Sequence, residues 1–309
     1  MSTELKKGTI LSGAWRTNIT PPVGICLAGD FTGTKSTGIA EELYSNAVVI
    51  DDGRKKAAVV SVDVCIIPDH MIKDICSMIE TSCGIPHTNI LIAATHTHNG
   101  PLLEQELPGV GVVSEEYNQH CKKCIATSVI MADMTKQPTR IGAGKGVNEN
   151  HVFNRRLRKP DGSLVMNWVD RNFLGDCVPS GPVDPEMMVL CIENADGKPI
   201  AFIVNYAFHY NSGCGKMLCS YISGYLAKVL SRVFGEEVVT LFLPGACGDV
   251  NWIDHRNATQ RTISGLYKKI GTSLAGTVLE ILSQVEYPEI TEIQTMHHIL
   301  KVPERPFNS

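Results

Sequence analysis

NILIAATHTHNGP, residues 89–101, is the stretch on which the reading of this chain turns. Asn89 to Thr95 (NILIAAT) is short and apolar at neighbouring positions alike, the pattern of a strand buried on both faces. Its character then changes within one residue. His96-Thr97-His98-Asn99 follows, and Gly100-Pro101 ends the strand sharply. Residues two apart in an extended backbone point to one side, so His96 and His98 can converge on one ion. Neutral imidazole is a common zinc ligand. Two hydrogen-bonded polar histidines at a strand end remain the plainer alternative.

Working outward, similar buried-strand runs occur at Ala57 to Val64, Ile200 to Phe208 and Val238 to Leu243. Helical stripes lie between them. Met71, Ile72, Ile75, Met78 and Ile79 form one, ended by Gly84 and Pro86. Ser114 with Glu115 and Glu116 reads as an N-cap and acidic first turn of a helix reaching about Met134. Leu226, Val229, Leu230 and Val233 form a third stripe closed by Gly235, and a long fourth runs from Ile263 to Ile281. Alternating strands and helices predict an α/β fold with a mixed, largely parallel central sheet flanked by helices on both faces. Asp161-Gly162 and Asp196-Gly197 are hairpin turns, so residues around 150–208 add antiparallel strands. No repeat or linker divides the chain, and 1–309 reads as one domain. Ile293 to Val302 reads as a further strand. A proline-broken tail follows it, as though more structure began there and the chain were truncated at its C-terminus.

Composition narrows the function. Apolar residues are 43% and charged residues 19%, which excludes a disordered chain. The net charge of −4, with no basic run beyond Arg155 to Lys159, argues against nucleic acid. The start lacks the apolar core of a signal peptide, and no apolar stretch is long enough to span a membrane. Eleven cysteines, odd in number and without framework spacing, suit buried thiols in a reducing, cytoplasmic setting. Cys121-Lys122-Lys123-Cys124 lies within a helical pattern, where packing is the simpler role.

Other strand exits are as polar as the first. Asn205 to Phe208 runs into His209, a third histidine at a strand end. Val238 to Leu243 exits through Pro244-Gly245-Ala246-Cys247-Gly248-Asp249-Val250-Asn251, where glycines let backbone approach a ligand and Asp249 reaches inward. Asp63 is a charge inside an apolar strand that needs a partner or a metal. Arg155 and Arg156 precede the hairpin at Asp161, and arginine suits a carboxylate or a developing oxyanion. No GxSxG, Walker loop or dinucleotide fingerprint appears.

Several segments together resemble the neutral/alkaline ceramidase family, in particular its smaller bacterial relatives. They are Gly13-Ala14 with Asn18 to Gly24 (NITPPVG), Val60 to Asp63, ATHTHNGP at 94–101, Asn154-Arg155-Arg156, Gly181 to Glu186, Asn205 to His209, and GACGDVN at 245–251. The resemblance implies a zinc amidase in which His96 and His209 are zinc ligands. His98, Arg155 and Asp249 then take catalytic roles, and Asn154, Gly248 and Asn251 lie on the substrate side. Asp63 is a further metal or supporting group. It implies a metal-activated water attacking a linear amide of an N-acyl, small or lipid-like substrate. Ceramidases proper carry a serine where this chain has Asn251, and small relatives usually carry an aspartate where it has Tyr221. The family's remaining zinc ligands, a glutamate and a tyrosine, lie further along. A non-catalytic relative with an incomplete metal site and a binding role is the second reading. A barrel-type hydrolase, which also uses HxH, is the third.

Overall fold

The computed structural model describes residues 9–29, 32–104, 111–169, 176–209, 214–257 and 265–303. Eight strands form its main sheet: β1 (Leu11–Asn18), β2 (Tyr44–Asp51), β3 (Lys56–Val62), β4 (Ile90–Ala94), β5 (Gln137–Val147), β6 (Glu186–Asn194), β7 (Pro199–Tyr206) and β8 (Val239–Pro244). Their order is β8-β7-β6-β5-β1-β2-β3-β4. The mixed α/β architecture expected from the sequence is present. Within this sheet, β3 with β4 and β7 with β8 pair in parallel, and the other neighbours run antiparallel. Alternation of strands and helices over-weighted the parallel share because β1 to β2, β2 to β3, β5 to β6 and β6 to β7 follow one another with no helix between them among the described residues.

The sheet turns on β5. Only the start of β5 pairs with β1, through Leu11↔Pro138 and Ser12↔Gln137, whereas the rest of it pairs with β6 from Val147↔Glu186 to Thr139↔Asn194. Beyond that joint the halves fold back on each other, and β8 contacts β2, β3 and β4. The alternation along each strand records the result. In β2, Val48 and Ile50 enter a cluster shared with Ile192, Ile203 and Leu241 of the other half, while Ala47 and Val49 face a second cluster. In β7, Ala201 and Ile203 face the shared cluster, and Phe202, Val204 and Tyr206 face a third. Period-two alternation with both faces apolar is what a strand between two layers requires.

Helices cover the outer faces. α1 (Asp69–Cys83) and α2 (Glu115–Met134) bury Met71, Ile75, Ile79, Ile125 and Val129 against β2 and β3. α3 (Tyr221–Phe234) and α4 (Leu266–Leu282) bury Ile222, Leu226, Ile270, Leu274 and Ile281 against β6, β7 and β8. The caps are those read from sequence. Ser114 accepts from the Tyr117 N–H, and Gly84 ends α1 at φ 67°. The end of α4 and the chain after it sit directly on β5, where side chains are absent. A Cβ at Gly142 would lie 2.4 Å from Val285, and one at Gly144 2.7 Å from Ile281. Both expected hairpins form: Arg156–Arg158 pairs with Leu164–Met166, and β6 pairs with β7. Cys121 is buried in the α1–α2 cluster and Cys124 packs against it.

One expected strand is absent. Ile293 to Val302 forms no ladder; Ile293 packs under the shared core, while Met296, Ile299, Leu300 and Val302 are exposed. Its alternation is real, but the segment is tied by side-chain bonds instead, Ile293 N–H donating to Asp52 and Thr295 Oγ1 to Asn89, each at 2.8 Å. The start of the fourth helix stripe, Ile263 and Ser264, lies outside the described residues, and the described helix begins at Leu266. Among the described residues no helix is long and apolar enough to cross a membrane.

Candidate metal centre

The fold-back brings the carboxyl ends of β3, β4, β7 and β8 together, and three histidines meet there. The ring centres of His96, His98 and His209 lie 4.9, 4.8 and 5.1 Å apart, each pair edge to face. The sequence expectation of convergence holds, by a different route. β4 ends at Ala94, and His96 is left-handed at φ 66° rather than extended. Single left-handed residues other than glycine cost on the order of 1–2 kcal/mol. That turn swings the His96 ring toward His98. The Nε2 atoms of the two rings stand 3.4 Å apart.

Backbone carbonyls fix which nitrogen faces the centre. His96 Nδ1 donates to the Cys65 carbonyl at 2.9 Å, and His209 Nδ1 donates to the Cys247 carbonyl at 3.2 Å. A carbonyl only accepts, so each Nδ1 carries the proton and each Nε2 presents a lone pair. The short Nε2 contact then takes its proton from His98. Burial, then the neighbouring His96 and His209 rings, push the His98 pKa down to about 3. Burial, then His96 and Arg155, hold His209 at about 4. These two imidazoles are therefore neutral near pH 7, the form that binds metal. The Nδ1 of His98 is buried with no hydrogen bond of good geometry. The backbone of Gly29 lies beside that ring and only partly offsets its loss of basicity.

Position 29 explains how the loop is held. Gly29 N–H donates to His98 O at 2.9 Å, and a Cβ there would fall 2.0 Å from that of His98. The same loop hangs on residues 215–221. Thr97 Oγ1 donates to Cys219 O at 2.6 Å, Asn99 Nδ2 to Gly215 O at 2.8 Å, and Tyr221 OH to Asn99 Oδ1. Tyr221 itself is left-handed at φ 55°. Cys65 brings a thiol to the cluster, 3.6 Å from His96 Nδ1. Cys65, His96 and His98 can each offer a ligand atom such that all lie within 4.8 Å of one another. Histidine nitrogen with a thiol is a borderline-to-soft donor set that fits a zinc-like ion.

Arg155 reaches the cluster from the Asn154 turn. Its field bears on both His98 and His209, its Nε is buried without a hydrogen-bond partner, and its guanidinium lies 5.7 Å from the Trp168 ring. Its main chain is bracketed by bonds to Asp249 O at 2.7 Å and from Asn167 N–H at 2.8 Å.

The other expected site residues lie elsewhere or are occupied. Asp63 is buried, and its carboxylate accepts from Tyr44 N–H, Thr95 Oγ1 and Ser223 Oγ at 3.0, 3.2 and 3.0 Å. Burial nonetheless pushes its pKa up to about 6. It supports the residue before His96 and lines a separate 460 Å³ cavity with Tyr44, Glu42 and Thr240. Asn154 accepts from Arg156 N–H at 2.9 Å and donates to Pro182 O at 3.3 Å. Asn251 exchanges two 2.8 Å bonds with Asn167. Asp249 is exposed and receives only a 3.4 Å contact from Asn154, while Gly248 is exposed with open space around it. Sequence reasoning missed Cys65, the Cys247 carbonyl, Gly29 and Trp168. Cys247 stood in a strand-exit segment already singled out, and Cys65 directly follows the strand read at Ala57 to Val64. Nothing local marked Gly29 or Trp168.

With fold and centre in view, comparison with known proteins gives a consistent relationship. Residues 13–223 match the N-terminal model of neutral/alkaline non-lysosomal ceramidase, more than half of the chain. The chain belongs to that family. Neutral ceramidase A of Dictyostelium discoideum is 28% identical over 199 residues, covering 62% of this chain and 26% of that protein. Neutral ceramidase B of the same organism is 25% identical over 173 residues, 53% of this chain and 23% of that protein. The neutral ceramidase structure from Pseudomonas aeruginosa superposes with a TM-score of 0.74 at 19% identity, covering 89% of this chain and 45% of that one. A ceramidase structure described as complexed with C2 gives 0.72. The chain spans about a quarter of the length of the curated relatives and under half of the solved ones.

Proposed function

We propose that this chain is a zinc-dependent hydrolase of a linear amide in an N-acyl, lipid-like compound. The observation that carries the reading is the meeting of three imidazoles, at least two held neutral, at ring separations of 4.8 to 5.1 Å beside Arg155. His96 and His209 would hold the ion through Nε2, with His98 and Cys65 as further donors within reach. Bound zinc supplies a Lewis acid for the amide carbonyl and a bound water of lowered pKa.

The chain's own residues account for the rest. The carbonyls of Cys65 and Cys247 orient the two ligand rings before anything binds, which removes reorganisation cost. Arg155 is buried at Nε and always charged, so it favours an oxyanion forming next to the histidines. His98, held neutral, presents its Nε2–H as a hydrogen-bond donor to the same oxyanion. A 780 Å³ groove beside the Asn154 turn is lined by Val152, Phe153, Val178, Pro179 and Val183, which suits an acyl chain. The relative solved with C2 supports a substrate of this kind.

One observation favours the second reading, a non-catalytic relative with a binding role. Asn251 is buried and spends its amide on Asn167, so it offers no nucleophile. Elemental analysis of purified protein separates the two, paired with a panel of N-acyl amines and N-acyl amino acids. About one zinc per chain, lost in the His96→Ala, His209→Ala double variant together with amide hydrolysis, is the expected result. Zinc without hydrolysis leaves the binding role. No zinc even after incubation with it overturns the metal reading.

A further inference from the structure

We infer that Cys214 and Cys219 are an oxidisable pair whose disulfide closes the wall on which the histidine loop hangs. Their sulfurs lie 2.6 Å apart. Carbon atoms settle in contact at roughly 3.5–4.0 Å and sulfur is larger, whereas a disulfide bond is about 2.05 Å. The pair therefore stands nearer to bonding than to packing. The chain geometry puts them there. Met217 N–H bonds back to Cys214 O at 3.2 Å, closing a turn, and Met217–Leu218 is pinned by pairing with Gly38–Ile39. Cys219 emerges from that short pairing against Cys214, and both are buried.

What the bond would fix is specific. Cys219 takes part at both backbone groups, its N–H donating to Asn99 O at 3.2 Å and its carbonyl accepting from Thr97 Oγ1. Within the loop it closes, Gly215 and Met217 both accept from the Asn99 side chain. Thr97 and Asn99 flank His98. A cross-link from 214 to 219 thus rigidifies the surface that holds both neighbours of a site histidine. The inference does not depend on a metal or on amide hydrolysis.

The oxidant is a low-molecular-weight disulfide of the glutathione type. Cys214 keeps 4% of its surface exposed against 0% for Cys219, so it is the sulfur that attacks. Burial, which pushes the Cys219 thiol far up, points the same way. Attack by the Cys214 thiolate breaks the small disulfide, forms a mixed disulfide and releases one small thiol. Cys219 then loses its proton to solvent and displaces the second small thiol. Two protein S–H bonds and one small S–S bond become one protein S–S bond and two small thiols, a two-electron oxidation of the protein. In a reducing compartment such a bond is transient.

The test uses wild-type protein, so no variant has to fold for it to be read. Protein treated with oxidised glutathione, then alkylated under denaturing conditions, is compared with a dithiothreitol-reduced control by mass spectrometry. Two fewer alkylated cysteines are expected, the others reacting in both samples. Trypsin cuts at Lys216, between the two cysteines. The peptide ending there should stay joined to the one beginning at Met217, with fragmentation placing the bond at Cys214 and Cys219. A Cys219→Ala variant should form no internal cross-link and should keep one glutathione on Cys214 in the oxidised sample, because the thiol that displaces it is gone. The oxidised form should also melt higher than the reduced form, by about 5 °C. In the wild type, full alkylation of all eleven cysteines after oxidant, a persistent glutathione adduct on Cys214, or a cross-link mapped elsewhere would overturn the pairing. An unchanged melting temperature would overturn the buttressing.

Discussion

Two polar regions sit side by side at the strand ends, and they are built on opposite principles. In the histidine cluster, backbone carbonyls hold the outer nitrogens of His96 and His209, and the inner ones are left facing one another. Buried atoms of His98 and Arg155 are left without hydrogen bonds. In the neighbouring loops, Asn251 and Asn167 exchange both amide bonds, and Asn154 is spent on Pro182 and Arg156. Both regions come from motifs that look equally suited to chemistry. Buried polar groups are normally satisfied, so unsatisfied ones mark where a ligand is expected. The asparagines are staples; they set the position of Arg155 and ask for nothing further.

The comparison is most exposed at Arg155. Replacing it with alanine should lower kcat/KM for the amide by about 10²–10³-fold, the usual cost of removing one preorganised oxyanion donor. Zinc content should not change. Steady-state kinetics with parallel metal analysis reads this directly, and an unchanged rate would move Arg155 to the structural side.

The converse change falls on Asn167. Alanine there strands the buried Asn251 amide and the Ile253 carbonyl, and the expected loss of stability is about 3 kcal/mol. Urea denaturation measures it. Bound zinc should again be retained, because no histidine contact passes through this pair. Loss of zinc at unchanged stability would mean the asparagines belong to the site after all.

Asp63 tests a third kind of buried group, one that is satisfied and still strained. Its pKa is raised from 3.8 to about 6 by burial, so the folded state holds that proton more tightly than the unfolded state. Below pH 4 both states are protonated and nothing is lost. As pH rises from 4 through 6 stability falls, by roughly 2–3 kcal/mol in all, and the cost is constant above that. His98 and His209 act in reverse. Their depressed values mean the unfolded chain takes up protons first, so stability falls as pH drops below 6.5. An Asp63→Asn variant should therefore gain relative to wild type between pH 4 and 6.5, while the histidine slope persists in both. Parallel stability curves would show that Asp63 ionises normally.

How far the sequence could be read follows from the same distinction. The helix stripes, both hairpins and the convergence of His96, His98 and His209 were legible because each depends on local spacing or on strand exits. The fold-back of the sheet was not, since it rests on how little of β5 pairs with β1. Nor was the left-handed backbone at His96, which replaced the expected strand geometry. The loop asparagines misled for a physical reason. A residue type reports what a side chain can bond to, and only the assembled structure shows whether that capacity is already used. Ile293 to Val302 failed in the same way, its strand pattern intact while its bonds go to the Asp52 and Asn89 side chains rather than to a ladder.

Asp249 lies on the border between the two regions and gives the smallest expected effect. The sequence placed it inward as a catalytic carboxylate. In the structure the carboxylate is exposed, with one long contact to Asn154, and what holds Arg155 is the residue's backbone carbonyl. Alanine keeps that carbonyl, so Asp249→Ala should cost less than about 1 kcal/mol of stability and leave the rate within a few-fold. Proline at Val250 would be a poor control, since it also disturbs the strand pairing with Asn154. Asp249→Asn is the better one, because it keeps shape and removes charge. If both Asp249→Ala and Asp249→Asn lose a hundredfold in rate while their stability holds, the carboxylate turns inward during the reaction. The boundary would then run between Asp249 and Asn251 rather than before Asp249.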